Sequence, residues 1–220
     1  NHDQTGNRML GERISQLVSP EAQKLAAASL LLSPYVPMIF MGEEWGEDIS
    51  FQYFVSHNDP HLIEAVRNGR REEFRSFGWK GDIPDPQSED TFNASKPDWN
   101  KPVTGKYKLM LRFYRHLIEL RKKYSLLGHA GKNNFTVRTH NTRDLIYIHR
   151  QAANEKAGIF MNFDSKVVSA DYLPGTDVWA KLLDTSERDW GGPGNNLPEV
   201  INEHTVLNIN PFSLVVYNKK

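Results

Sequence analysis

Helix-forming residues and the spacing of apolar residues predict one helix after Ser19 and another that ends near Tyr124. Ser19 precedes a run of strong helix formers from Pro20 to Leu32, where serine can cap the free backbone amides and proline suits the first turn. A second helix is predicted from Tyr107 to Tyr124, because apolar residues recur there at steps of three and four residues. These residues are Leu109, Phe113, Leu117, Leu120 and Tyr124.

A short, fully apolar strand is predicted from Tyr35 to Met41, directly before Gly42. Strands without polar residues are typical of parallel sheets that helices cover on both faces. Pro34 ends the preceding helix, and Pro37 is compatible with a strand only near its beginning. The order of helix, apolar strand and polar loop indicates a fragment of an α/β architecture.

The segment from Glu47 to Gly105 has no strong periodicity, apart from one predicted helix. That helix runs from Pro60 to near Phe77, with Asp59 as its cap. The rest of the segment is rich in prolines and aromatic residues. Long segments without regular structure are usually functional or disordered, and so many aromatic side chains argue against disorder. We therefore expect an ordered long loop that covers a site.

After Gly128 the pattern changes to short runs in which apolar and polar residues alternate between turn residues. Such runs predict antiparallel strands, so residues 128–220 are expected to form an antiparallel β domain of about 90 residues. Residues 1–127 form the α/β part in this interpretation. The predicted strands are residues 135–139, 145–148, 158–163 and 213–217.

Composition excludes several classes of function. The 27 lysine and arginine residues equal the 27 aspartate and glutamate residues, so no net charge attracts nucleic acid or an anionic membrane. The absence of cysteine excludes disulfides, zinc–thiolate sites and thiol nucleophiles. The longest apolar run, Leu25–Met41, is interrupted by Ser33, Pro34 and Pro37, so it is not expected to span a bilayer. No signal peptide is recognisable, and the expected location is the cytoplasm.

The first candidate site is the polar tetrad Asn1-His2-Asp3-Gln4, which suits the tip of a strand that enters a loop. In a parallel barrel, such strand ends carry the active site. Asp3 could there stabilise a developing positive charge, and His2 could bond a hydroxyl group. The alternative is that these residues merely form a turn.

The second candidate site is the loop that follows the predicted apolar strand, with Glu43, Glu44 and Trp45 between two glycines. Paired carboxylates are the tools of glycoside hydrolysis. A tryptophan face beside them suits the C–H surface of a sugar ring. The alternative is a solvated loop whose glutamates pair with arginines such as Arg8 or Arg13.

Two further clusters favour structural interpretations. His57 and His61 have a spacing that resembles metal ligands, but the helix is expected to start at Asp59 and to leave His57 outside. The basic residues within 67–75 are interleaved with acidic ones. That arrangement is typical of a solvated helix face and does not favour nucleic-acid binding.

Three segments together resemble the α-amylase superfamily of glycoside hydrolases: Asn1–Gln4, Asn7-Arg8 and Phe40–Gly46. The resemblance implies that Asp3 is the third catalytic carboxylate, a transition-state stabiliser, and that His2 binds the same sugar. It also implies a fold of the class α/β plus all-β. That fold is the C-terminal portion of a (β/α)8 TIM barrel, from the end of strand seven to helix eight, followed by an antiparallel β-sandwich.

Within this superfamily, motifs in residues 53–60, 64–74 and 84–92 resemble the malto-oligosyltrehalose trehalohydrolases. This family releases trehalose from an α-glucan with a terminal trehalosyl unit, and it retains anomeric configuration. The resemblance implies maltooligosyl-trehalose as the substrate and neither a metal nor an organic cofactor. The residues expected to bind substrate are His2, Gln4, Glu43, Trp45, Tyr53 and His57.

The nucleophile and the acid/base of this family lie upstream of the segment that the present sequence matches. The chain alone is therefore expected to be inactive, and its expected partner is the missing N-terminal part of the same barrel. Two alternatives stay open. One is a glucan branching enzyme with the same barrel. The other is a non-catalytic carbohydrate-binding module that uses Trp45, Trp79 and the C-terminal β domain.

Overall fold

The computed structural model describes residues 2–76, 78, 81–128, 135–140, 143–152, 155–170, 176–194 and 197–219. The helices of this part of the chain are α1 (His2–Thr5), α2 (Ile14–Leu17), α3 (Pro20–Leu31), α4 (Pro60–Ser76), α5 (Glu89–Ala94) and α6 (Gly105–Lys123). Its strands are β1 (Phe135–Thr139), β2 (Leu145–Ala152), β3 (Glu155–Asn162), β4 (Val168–Ala170), β5 (Trp179–Asp184), β6 (Val200–Ile201), β7 (Leu207–Ile209) and β8 (Ser213–Lys219).

The chain divides into two compact units, each formed by two separate segments. The first unit consists of Asn1–Val18 and Met38–Tyr107, and the second unit consists of Ser19–Pro37 and Lys108–Lys220. Helix α3 and most of α6 therefore cluster with the strands. The predicted boundary between residues 127 and 128 stays a prediction.

The second unit is built on a six-stranded antiparallel sheet with the strand order β1-β2-β3-β8-β5-β6. The antiparallel pair of β4 and β7 contributes to one apolar core with this sheet. Alternate residues of the central strands, such as Phe160 and Val215, point into that core and meet Val168 and Leu207 of the pair. Trp179 is fully buried there. The prediction of a mostly antiparallel β domain is confirmed.

Helix α3 packs on strand β8 of the same unit. The Ser19 hydroxyl accepts a hydrogen bond from the Ala22 amide at 3.2 Å, which confirms the predicted cap. Lys24 is buried in the helix, and its Nζ donates to the carbonyls of Thr185 at 2.8 Å and Trp190 at 3.0 Å. These two oxygens offset the cost of burying an ammonium group.

The remaining elements of the second unit follow the sequence pattern only where they are long. Helix α6 and strands β1, β2, β3 and β8 confirm predictions, although β2, β3 and β8 extend beyond the predicted bounds. Strands β4, β5, β6 and β7 were not predicted. They contain three, six, two and three residues, so most are too short to show alternation.

The first unit contains the predicted helix after Asp59, whose carboxylate accepts hydrogen bonds from the amides of His61 and Leu62 at 2.8 and 3.3 Å. Helix α5 was not predicted, because its six residues include only one large apolar side chain, that of Phe92. Aromatic residues order this unit through a row of edge-to-face contacts, with ring centroids 5.0 to 5.6 Å apart. The row consists of Phe40, Phe51, Phe54 and Phe92.

The predicted strand at Tyr35–Met41 is wrong for this structure, which has no regular element there. Val36 is 83% exposed and Met38 is 67% exposed, whereas the prediction required both to be buried. A strand exists through hydrogen bonds to a neighbouring strand, and no described residue pairs with this segment. Pro34 and Pro37 also lack the amide hydrogens that such pairing needs. The barrel portion of the predicted fold stays a prediction.

Candidate functional site

The polar tetrad at the start of the chain does not have the predicted form of a strand tip. His2–Thr5 form the short helix α1, in which Asp3 and Gln4 are exposed to solvent. Asn1 and the side chain of His2 lie outside the described part of the structure. Four residues suffice for one helical turn, and an acidic side chain in the first turn, here Asp3, is favourable beside free backbone amides.

The second candidate site is a tight turn in which Glu43–Trp45 form a short 3-10 helix between two glycines. Gly42 has a φ of 92°, and a Cβ at this position would lie 2.7 Å from the Cβ of Glu47. The carboxylate of Glu43 accepts a hydrogen bond from the Phe40 amide at 3.1 Å, and that of Glu44 accepts one from the Gly42 amide at 3.0 Å. Both carboxylates thus hold their own loop.

Trp45 does not present the ring face that a sugar platform needs. Its side chain is 3% exposed, and its indole N–H donates to Oε2 of Glu47 at 3.3 Å. In this structure the ring belongs to the core of the first unit, and a role of Trp45 in substrate binding stays a prediction. Trp99 packs on it with ring centroids 5.2 Å apart, and Trp99 is 68% exposed.

The centre of this region is Glu47, which the sequence analysis did not single out. It is 1% exposed, and its Oε1 accepts from the amides of Asp48 and Ile49, both at 2.9 Å, and from Lys101 Nζ at 2.6 Å. Its Oε2 accepts from the Asp98 amide at 2.9 Å as well as from the indole. Five donors thus converge on one buried carboxylate.

Asp48 and Lys101 extend this network. The Asp48 carboxylate accepts from Lys101 Nζ at 2.5 Å, from the Tyr107 hydroxyl at 2.7 Å and from Lys106 Nζ at 3.0 Å. Burial raises the pKa of Asp48, but these three donors outweigh burial and hold the pKa well below its usual range. Burial likewise raises the pKa of Glu47, and the bonds from Lys101 and the backbone reverse the effect to a net lowering. Both groups are ionised at neutral pH.

Arg13 binds backbone carbonyls on both sides of the same turn. It is 2% exposed, with Nε donating to the Ile49 carbonyl at 2.6 Å and Nη1 donating to the Met41 carbonyl at 2.7 Å. Its guanidinium lies 5.2 Å from the ring centre of Phe40. Burial lowers the pKa of Arg13, and the negative charges of Glu47, Glu43 and Glu44 oppose that lowering. Arg13 therefore interacts electrostatically with the glutamates of the loop.

Tyr53 and His57 lie on the loop before helix α4. Tyr53 is 36% exposed, and the Arg70 guanidinium lies 4.6 Å from its ring centre. The His57 backbone is held by Gln87 on both sides, since its amide donates to Oε1 at 3.2 Å and its carbonyl accepts from Nε2 at 2.9 Å.

The other clusters have structural roles. Arg67 forms a two-pronged ion pair with Asp85 at 2.9 and 2.7 Å, in agreement with the expectation of a solvated helix face. A search of the described residues finds no group of histidine, aspartate and glutamate side chains that could hold a metal ion. Trp79, which the binding-module alternative used, lies outside the described residues. In the portion of the chain that is described, no helix is long and apolar enough to cross a membrane.

Seven curated proteins match the sequence, and all seven carry the name malto-oligosyltrehalose trehalohydrolase. The protein of Saccharolobus solfataricus is 51% identical over 128 residues, which are 57% of this chain and 20% of that protein. The resemblance to the malto-oligosyltrehalose trehalohydrolases is confirmed. The protein of Deinococcus radiodurans is 36% identical over 193 residues, 86% of this chain and 32% of the relative. No family model matches the chain.

The chain spans between about a fifth and a third of the length of these trehalohydrolases. Solved structures agree with the relation. A Salmonella typhimurium protein described as a candidate alpha amylase matches the whole chain with a TM-score of 0.79 and 30% identity, over 34% of its own length. The trehalose-6-phosphate hydrolase of Bacillus licheniformis matches 90% of this chain over 38% of its own length. The TM-score is 0.56 at 16% identity, which indicates a shared fold.

Proposed function

We propose that this chain is part of a retaining α-glycosidase that releases trehalose from maltooligosyl-trehalose. The observation that carries the proposal is the 36–51% identity to seven proteins that all bear the name of this activity. The motifs that suggested the same family are spread over both segments of the first unit. An α-glucan is the corresponding substrate class, and glycosyl transfer between carboxylates requires no metal or organic cofactor.

In this proposal Asp3 stabilises the positive charge that develops on the sugar ring in the transition state, and His2 and Gln4 bond its hydroxyl groups. Asp3 and Gln4 are exposed, which suits side chains that meet a ligand. Glu43, Tyr53 and His57 contribute from the loop between Phe40 and Pro60. Retention requires two further carboxylates as nucleophile and acid/base, and we place them in a longer protein that includes this chain.

The network around Glu47 supports the proposal by fixing the turn on which Glu43 lies. Arg13 and Glu47 bind backbone groups on both sides of Gly42–Gly46, so the loop is rigid before any ligand arrives. Preorganisation of this kind avoids an entropic cost on binding. Trp99 is a further candidate for contact with a sugar ring, because its own ring is exposed and packs on the buried ring of Trp45.

The first test uses the purified 220-residue chain, which should release no trehalose from maltooligosyl-trehalose because two carboxylates are lacking. Release of trehalose by this chain would contradict that part of the proposal. A longer protein that includes the chain should release trehalose from the same substrate and should create no branch points in amylose. New branch points would instead support the branching-enzyme alternative.

The second test addresses Asp3 in that longer protein. Asp3→Asn should lower kcat by about 10²- to 10³-fold, as expected for loss of one electrostatic stabiliser of a transition state. The matched control is Asp144→Asn, an exposed carboxylate of the second unit, which should leave kcat unchanged. Equal activity of the Asp3→Asn and Asp144→Asn proteins would remove Asp3 from the reaction.

A further inference from the structure

Trp99 is the most exposed aromatic residue among the described residues of the first unit. It is 68% exposed, and its ring meets the buried ring of Trp45 at an angle of 53° with the centroids 5.2 Å apart. Single exposed apolar residues are normal on protein surfaces, so exposure alone does not indicate a ligand. Two properties of its surroundings add to the exposure: a fixed backbone and polar neighbours on both sides.

The backbone on both sides of Trp99 is bound to one buried carboxylate. The Asp98 amide donates to Oε2 of Glu47 at 2.9 Å, and Lys101 Nζ donates to Oε1 of the same group at 2.6 Å. The Lys101 amide donates in turn to the Asp98 carbonyl at 3.2 Å, which closes the turn that carries the indole. The ring is therefore held in place before a ligand arrives, and binding costs little conformational entropy.

The two neighbours of Trp99 carry polar groups that the turn does not use. Oδ1 of Asp98 accepts a hydrogen bond from the Asn100 amide at 2.9 Å, whereas its Oδ2 has no hydrogen-bond partner in the described part of the chain. Asn100 precedes the short 3-10 helix Lys101–Val103, but its side chain does not cap that helix. Asn100 is exposed, and its side-chain amide makes no hydrogen bond to the described residues. An acceptor and an amide thus flank the exposed indole.

This combination of groups matches a neutral sugar. A pyranose ring presents C–H groups on its faces, which suit an aromatic face, and hydroxyl groups around its edge. A carboxylate oxygen accepts hydrogen bonds from such hydroxyls, and an amide both accepts and donates. Lys101 is already paired with Glu47 and Asp48, at 2.6 and 2.5 Å, so it does not select an anionic ligand.

We propose that Asp98, Trp99 and Asn100 bind one glucose unit of an α-glucan, with the indole stacked on the ring face and the two polar side chains bonded to hydroxyl groups. The inference rests on the proposed function for its class of ligand. It assigns these residues to binding and not to bond cleavage. A contact that is equally strong in the ground state and in the transition state affects KM and leaves kcat unchanged.

The first experiment titrates the purified 220-residue chain with maltoheptaose and follows the indole N–H signal of Trp99 by NMR. The signal is assigned by its absence from the Trp99→Phe protein. Maltoheptaose should shift it saturably. The control is sorbitol, which has hydroxyl groups but no ring face and should cause no saturable shift. Absence of a saturable shift with maltoheptaose, or an equal shift with sorbitol, would overturn the proposal.

Variants then separate stacking from hydrogen bonding, with the amide signals of Asn100 and Lys101 as the readout. Trp99→Ala should weaken maltoheptaose binding by about ten- to a hundredfold, since it removes the buried ring contact, whereas Trp99→Phe should keep part of the affinity. The matched control is Val103→Ala, an apolar residue that is 69% exposed in the adjoining 3-10 helix, which should not change the affinity. Equal affinity of the Trp99→Ala and Val103→Ala proteins would refute the stacking role.

Asn100→Ala should weaken maltoheptaose binding by about two- to tenfold, because it removes hydrogen bonds to the sugar. Its stability should stay at the wild-type value, since the side chain does not cap the helix. This variant and the wild-type titration keep the proposal testable if Trp99→Ala, which also exposes Trp45, fails to fold. Unchanged affinity in Asn100→Ala would remove that residue from the site.

Kinetics of a longer protein that includes the chain distinguish this inference from the proposed function. Trp99→Ala should raise KM for maltooligosyl-trehalose and leave kcat unchanged, and a lower kcat at unchanged KM would overturn the assignment to binding. Trehalose release without maltoheptaose binding at Trp99 would refute the site and leave the proposed function in place. Maltoheptaose binding at Trp99 without trehalose release would support the site and refute the proposed activity.

Discussion

Glu47 offers the most direct test of how the first unit is held together. Glu47→Gln keeps the shape of the side chain but turns one acceptor oxygen into a donor and leaves Lys101 without its buried partner. The carboxylate accepts four bonds of 2.6 to 2.9 Å and a fifth at 3.3 Å, so at least one donor loses its acceptor whichever way the amide is oriented. Breaking a buried pair costs about 3–5 kcal/mol, and we expect a loss of that size.

The assay combines urea denaturation with amide hydrogen exchange. Exchange at the amides of Asp48, Ile49 and Asp98 should accelerate by about 10²-fold or more in Glu47→Gln, because these amides donate to the lost carboxylate. Glu72→Gln is the matched control, since its ion pair with Arg75 is largely exposed and worth at most about 0.5 kcal/mol. Equal stability and equal exchange in the two variants would refute this account of the network.

The same network predicts a pH dependence. The pKa of Glu47 in the folded protein lies below its ordinary value of 4.5, so the ionised form is stabilised by folding. This contribution is present above pH of about 5 and is lost as the pH falls through the lowered pKa. The free energy of unfolding should therefore decrease from about pH 5 to pH 3, and less steeply in Glu47→Gln. An unchanged slope in the variant would contradict the prediction.

Further substitutions test other parts of the molecule. Asp184 is 1% exposed, and burial raises its pKa to about 6, so it favours folding at low pH and less so as the pH rises through that value. The free energy of unfolding of Asp184→Asn minus that of the wild type should therefore increase by about 3 kcal/mol from pH 4 to pH 7. A difference that does not change with pH would contradict this. Gly11→Ala should destabilise the first unit by about 2–4 kcal/mol, because Gly11 has a φ of 66° and a Cβ there would lie 2.2 Å from the Phe51 carbonyl oxygen. Gly69→Ala, in helix α4 with open space around it, should instead stabilise by about 0.5–1 kcal/mol in the same thermal unfolding measurement, and equal shifts would contradict both predictions. Arg13→Lys should lower the free energy of unfolding by about 1–3 kcal/mol in urea denaturation, because an ammonium group cannot reproduce the two directed bonds to Ile49 and Met41. The control is Arg71→Lys at an exposed position, which should have little effect. A similarly small effect of Arg13→Lys would refute the structural role of the Arg13 guanidinium.

The sequence by itself determined the elements that local interactions specify. Helix α3 has its cap at Ser19, α4 has its cap at Asp59, and α6 has an apolar face at helical spacing, so each was predicted close to its observed bounds. The longer strands of the sheet were recognisable because alternation needs several residues to be visible. The family resemblance was also legible, since its motifs are contiguous segments.

Tertiary structure decided the arrangement of the candidate site. The bond from Lys101 to Glu47 spans 54 residues, and no periodicity marks either residue as a partner of the other. Trp45 and Trp99 are both tryptophans beside polar residues, and only packing makes one buried and the other exposed. Strand formation at Tyr35–Met41 depends in the same way on a neighbour that the segment cannot supply. Local patterns fix local hydrogen bonds, but burial and long-range pairing depend on which distant groups the fold brings together.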